Sequence, residues 1–258
     1  MTASAPRRRN RGKRPLYTAQ VAPPSEPPTR PGAPGGRRDE NRREKVQRLC
    51  DAALRLFLQT GIELTRVEDI TAVAGVAKGS FYRYFTDKQQ LTEVLFLPLF
   101  TAVEDALARC GRAIDDARGE TRLSAAYASL GGELGQLVVA HAPVIRLYLQ
   151  ERRGPATGAR VPVTRLAGFI EERAEDLSTR ARAHGLLRSF PPRVSSLAVV
   201  GATEQLLHAF LSGRDLGDAA QLPALITSLV MNGLRPPATN PPPPASADVA
   251  ASGLPPTA

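Results

Sequence analysis

Apolar residues in the middle of the chain recur at three- and four-residue steps, the spacing of a helix that buries one face. Val46, Leu49, Cys50, Ala53, Leu54 and Phe57 form the first stripe, with Arg42, Arg43, Lys45, Gln47, Arg48, Asp51 and Arg55 around the rest of the turn. Asn41 and Glu44 have capping-box spacing and predict its start, and Gly61 predicts its end. A short helix is expected after Thr65, which has the same spacing to Glu68, and it ends at Ala74-Gly75. A second short helix covers roughly 78–84. Asp87 with Gln90 then opens a long helix, bent at Pro98 and closed by Gly111 and Gly119. Further stripes predict helices near 123–138 (loosened by Gly131, Gly132 and Gly135), 144–152, 166–184, 193–212 and 218–232. No stretch alternates long enough for a strand. The fold expected is all-α, with about nine helices. The 193–212 helix is apolar almost all round and needs cover on more than one side, for which another subunit is the expected source.

Composition separates the ends from this middle. Of 23 prolines in 258 residues, eight lie in 1–38, eight in 236–258 and seven between. Residues 1–38 hold nine Arg/Lys against Glu26, which accounts for +8 of the net charge of +9. Such a segment cannot bury enough apolar surface to fold and is expected to be disordered. The body is nearly neutral, which argues against a protein coated with positive charge. The longest uncharged apolar run, Val94 to Phe100, is far short of the ~18 residues that span a bilayer. No apolar stretch follows the basic start as in a secretory leader. Cys50 and Cys110 cannot make a disulfide framework and fit reduced thiols. The expectation is a cytoplasmic protein without a membrane partner.

The chemistry concentrates between Thr65 and Lys88. Two short helices joined by a tight turn, Ala74-Gly75-Val76, form a helix-turn-helix. Gly75 suits the left-handed turn, and Ile70, Val76 and Phe81 are expected to fix the crossing. Lys78, Ser80, Tyr82, Arg83 and Tyr84 then lie on a helix sized for a major groove. Lys88, in the first turn of the next helix, opposes the helix dipole, an arrangement that a nearby phosphate would relieve.

The run Asp69-Ile-Thr-Ala-Val-Ala-Gly-Val-Ala-Lys-Gly-Ser-Phe-Tyr-Arg-Tyr-Phe-Thr-Asp-Lys88, preceded by Ala52-Ala-Leu-Arg-Leu-Phe57 and Gly61, resembles the DNA-binding domain of TetR/AcrR-family bacterial regulators over about residues 44–91. Further along, the resemblance is in length and helix order more than in residues. It implies a three-helix DNA-binding domain over 39–91 and an effector-binding and dimerisation domain over 92–235; the composition of the ends adds a disordered tail over 1–38 and a second over 236–258. Lys78, Gly79 and Ser80 would approach base edges or phosphates. Tyr82, Tyr84 and Lys88 would bind phosphates, with Arg66 and Arg83 on the same surface. Thr65 would cap the supporting helix and touch the DNA backbone. Ala77 departs from the family's usual capping Ser, at a cost of about 1 kcal/mol unless another group substitutes. Thr71 replaces a usual Ala.

In the body, Phe100, Tyr127, Leu130, Tyr148 and Phe169 are core residues or the lining of a ligand cavity, with Arg152, Arg173 or Glu204 as its polar anchor. Leu197, Val200, Leu207 and Leu211, with Leu225 and Leu229 of the final helix, are expected at a dimer interface. The three histidines are scattered, no nucleophile elbow is present, and neither a metal, a cofactor nor a catalytic residue is expected. The function expected is a homodimeric repressor on a pseudo-palindromic operator of double-stranded DNA, released by a small apolar effector. A ligand-independent or activating DNA binder shares the motif, and a helical enzyme would need a catalytic constellation that is not visible.

Overall fold

The computed structural model describes residues 37–185, 191–218 and 221–234, with backbone alone at 37 and 229–234. Most of the basic tail, the Pro-rich C-terminal segment and the side chain of Leu229 lie outside the described residues. Eight α-helices and one 3₁₀ turn make up the regular structure, with no strand among the described residues. In chain order they are α1 (Arg37–Thr60), α2 (Val67–Ala74), α3 (Lys78–Tyr84), α4 (Lys88–Asp115), α5 (Glu120–Glu151), the 3₁₀ turn (Gly158–Arg160), α6 (Val161–Ala183), α7 (Pro192–Leu211) and α8 (Leu222–Leu234).

Two compact units divide these elements. The first holds the described residues up to Pro98 together with Ala156–Pro162; the second runs from Leu99 to Pro155 and on from Val163. In the first unit, Leu49, Ala53 and Phe57 of α1 meet Ile62, Ile70 of α2, Phe81 of α3, Phe85 and Leu91 in one core, each no more than 1% exposed. Burial of each such large side chain is worth roughly 1.5–3 kcal/mol. The α4 start expected at Asp87 is present: Asp87 Oδ1 accepts the Gln90 N–H at 2.8 Å, and Gln90 Oε1 accepts the Thr86 N–H at 2.6 Å.

Four local expectations are corrected. α1 begins at Arg37, so Asn41 stands inside it; Asp39 and Glu40 supply the favourable negative charge of the first turn, and Asp39 pairs with Arg43 at 3.0 Å. α2 has Arg66, not Thr65, at its N-cap. The helices expected on either side of Pro143 are one element, α5, broken only by non-helical angles at His141 (φ −125°, ψ 23°). Pro143 removes one N–H and crowds the carbonyl four residues back, which bends the helix without ending it. Gly111 does not stop α4, which continues to Asp115; a Cβ there would make ordinary contact with Leu177 of α6 at 3.5 Å, so the packing does not demand a glycine.

In the second unit, α5 packs against α7 and α8, and Leu123, Leu147, Val163 and Leu166 are fully buried. Gly131 and Gly135, expected to loosen α5, are where α8 approaches. A Cβ on Gly131 would meet Thr227 Oγ1 at 2.8 Å, and one on Gly135 would meet Pro223 Cγ at 3.0 Å.

Candidate nucleic-acid interface

Residues 67–84 build a compact helix-turn-helix. α2 closes on Gly75 in the left-handed region (φ +64°, ψ 37°). The Gly75 N–H donates to Ala72 O at 3.2 Å and the Val76 N–H to Thr71 O at 3.0 Å, the paired bonds of a Schellman motif. Ala77 is extended (φ −63°, ψ 141°) and offers no side-chain cap to α3. Phe81 is fully buried and anchors α3 from inside, its ring 5.4 Å from Phe85. It also meets the Tyr82 ring edge-on at 5.2 Å, which holds that phenol on the surface at 54% exposure.

Of the nine residues expected at DNA, six form one patch in sequence. Lys78, Gly79, Tyr82 and Arg83 are exposed, Ser80 and Tyr84 half-buried. A Cβ on Gly79 would meet nothing within 4 Å, so packing within the chain does not demand a glycine here. Lys78 pairs with Glu68 of α2 at 2.6 Å. The hydrogen bond from Lys78 holds the Glu68 carboxyl below its usual range, and Glu68 in turn holds the Lys78 ammonium above its own. Arg66 is exposed, and its N–H donates to Asp69 Oδ2 at 3.4 Å.

Thr65 and Lys88 are placed differently. Thr65 is buried and its hydroxyl donates to Gly61 O at 2.8 Å, with Thr60 Oγ1 at 2.9 Å, so it closes the end of α1 instead of starting α2. Lys88 Nζ donates to Ile62 O at 2.6 Å, Thr65 O at 2.9 Å and Glu63 O at 3.0 Å. An ammonium has three protons, and three carbonyls take them. The reason for a cation against the α4 dipole therefore comes from inside the protein, without a phosphate.

Arg48 escaped the sequence reading. Its Nη2 donates to Ala74 O at 2.6 Å and lies 3.4 Å from Gly75 O, the carbonyls that end α2. No spacing rule links residues 26 apart, and the sequence pattern puts Arg48 only among the polar positions off the apolar stripe of α1.

In the second unit, the expected ligand residues fall into two groups. Tyr148 Oη donates to Glu204 Oε1 at 2.6 Å, and Glu204 pairs with Arg152; Tyr148 and Glu204 are buried. Burial pushes the Glu204 carboxyl up, against the pull of Tyr148 and Arg152, and pushes the Tyr148 phenol up as well. Phe100 and Phe169 pack at 4.9 Å, with the Arg173 guanidinium 5.3 Å over the Phe169 ring. Tyr127 and Leu130 are half-buried on α5. Arg173 also lines a groove of about 240 Å³ with Leu107, Gly111, Arg112, Asp176 and Arg180, which is more charged than the apolar pocket expected. Of the expected dimer residues, Leu197 and Leu225 are exposed and Leu207 and Leu211 half-exposed, whereas Val200 is buried within its own chain.

Known proteins resemble this chain most clearly in the helix-turn-helix segment. The model of the family of bacterial regulatory proteins, tetR family, matches residues 49–95. The HTH-type transcriptional regulator TtgR of Pseudomonas putida is 32% identical over 80 residues, which cover 31% of this chain and 38% of TtgR. The chain thus matches well under half the length of that relative. Among solved structures, native NalD, the secondary repressor of the MexAB-OprM multidrug efflux pump in Pseudomonas aeruginosa, has a TM-score of 0.59 at 21% identity, covering 75% of this chain and 98% of NalD. FadR from Bacillus subtilis, in complex with stearoyl-CoA, has a TM-score of 0.56 at 17% identity, covering 73% of this chain and 99% of FadR. These two likenesses are of fold. The likeness to the tetR family of bacterial regulatory proteins is thus carried by residues 49–95 and the helix-turn-helix they build.

Proposed function

We propose that the chain is a transcriptional regulator that binds a pseudo-palindromic operator as a homodimer and represses until a small effector releases it. The observation that carries the reading is α3: a short helix, anchored by fully buried Phe81, that turns Lys78, Gly79, Tyr82 and Arg83 outward. Lys78 and Ser80 are the candidates for base edges, and Tyr82, Arg83 and Tyr84 for phosphates. Two such helices related by a twofold enter successive major grooves about 34–36 Å apart. The basic segment 1–38 adds sequence-independent attraction to the duplex.

The body supports the effector half of the reading. Tyr148 and Glu204, buried, and Arg152 beside them form a charged cluster within the bundle, the kind of desolvated group that costs stability and marks a candidate ligand anchor. NalD is by description a repressor, and FadR was solved with stearoyl-CoA. An apolar effector with one polar group suits such a cluster. Preference of about 1–3 kcal/mol for one of two dimer states changes operator affinity roughly 5–150-fold.

Selection of bound duplexes from a random library tests the reading. A pseudo-palindromic consensus is expected, with Tyr82→Ala and Lys78→Ala each lowering affinity for it by about tenfold. A pool without a symmetric consensus, or unchanged binding by both folded variants, refutes it.

A further inference from the structure

We infer that Arg48 is a positioning residue for DNA recognition, acting through the α2–α3 turn. The inference rests on the proposed DNA-binding function. The turn between α2 and α3 is short, and its geometry sets where α3 points. Its own backbone fixes it in part, through the bonds from Gly75 and Val76. Those bonds leave the carbonyls of Ala74 and Gly75 to be satisfied from elsewhere, and α3 itself starts at Ala77 with no side-chain cap. The Arg48 guanidinium reaches from α1 and binds Ala74 O at 2.6 Å, with Gly75 O at 3.4 Å.

A charged donor on the last carbonyls of a helix satisfies groups that the helix leaves open and opposes its negative end. Here it also ties the turn to α1, the 24-residue helix of the first unit. The approach is close: a Cβ on Gly75 would lie 2.9 Å from Arg48 Nη2 and would displace the guanidinium, while the positive φ is what requires glycine in the turn. In a chain whose recognition helix lacks the capping hydroxyl at 77, Arg48 is the side chain that fixes the turn from outside. Its cation is directed at protein carbonyls, so it sets the aim of α3 without neutralising a phosphate.

The test uses the full-length protein and the duplex that the wild type selects, with a scrambled duplex beside it. Binding is measured over a range of salt, at a temperature where circular dichroism shows wild type and variant equally folded. Arg48→Gln is expected to lower affinity for the selected duplex about tenfold, the size of one charge-assisted hydrogen bond. Affinity for the scrambled duplex and the dependence on salt should stay as in wild type. A salt slope reduced by about 0.9 overturns the inference, because it means that Arg48 neutralises a phosphate. Equal losses on both duplexes, or no loss on either, overturn it too. Where Arg48→Gln melts too low, Arg48→Lys takes its place: a loss confined to the selected duplex carries the inference, and any other pattern overturns it. If the wild type selects no consensus, it is the proposed function that has failed.

Discussion

Cys50 and Cys110 show what burial does to single groups. Burial, aided by Asp51 beside the first and Glu133 beside the second, pushes both thiols up to about 12 from an ordinary 9.0. The folded protein holds these protons at pH values where the unfolded chain releases them, so stability falls as pH rises. The contribution is complete below pH 9 and is lost on the way to pH 12. Melting temperature is expected to drop over that window, and to drop less steeply in the Cys50→Ala/Cys110→Ala variant. Equal slopes for the two proteins would contradict this account. Residue types alone suggested small apolar cysteines, and both are buried free thiols. Lys88 was harder to read. The sequence shows a cation against a dipole but not the carbonyls of Ile62, Glu63 and Thr65 that fold back to it.

Helix α5 shows why glycines mean different things along one element. Gly131 faces Thr227 and the Pro223 carbonyl, whereas a Cβ on Gly132 meets nothing within 4 Å. Alanine favours a helix over glycine by about 1 kcal/mol. Gly132→Ala should therefore raise the melting temperature by roughly 2–4 °C. Gly131→Ala should lower it, because its methyl can be seated only by moving α8. Thermal melts of the two variants check the opposite signs. Periodicity identified α5 as amphipathic but offered no means of telling which glycine faces a neighbour. The helix-turn-helix was easier, since its turn glycine, its inward Phe81 and its short helices are all local features.

At the scale of the molecule, α7 is long and apolar enough by composition to cross a membrane, yet only 28% of that stretch is buried within the chain. Val194 and Leu197 on it, and Leu225 on α8, are 58%, 46% and 56% exposed. Such a face calls for cover, and a second copy of the chain is the occupant that the proposed palindromic operator would require. Light scattering is expected to give a dimer mass. Leu197→Glu with Leu225→Glu should yield a folded monomer that binds a single half-site weakly. A dimer unchanged by both substitutions would place the interface elsewhere. The apolar excess of α7 was plain in sequence, but Val200, expected on that interface, is covered by its own chain.

The sequence by itself determined the helical class, the helix-turn-helix from α2 to α3 and the apolar stripes, because each depends on residues within a few positions of one another. Tertiary structure decided which polar groups meet: Arg48 with Ala74, Lys88 with Ile62, Tyr148 with Glu204. Those partners lie 26 to 56 residues apart. A hydrogen bond or ion pair depends on distances of ångströms, which only the packing of whole helices against one another can set.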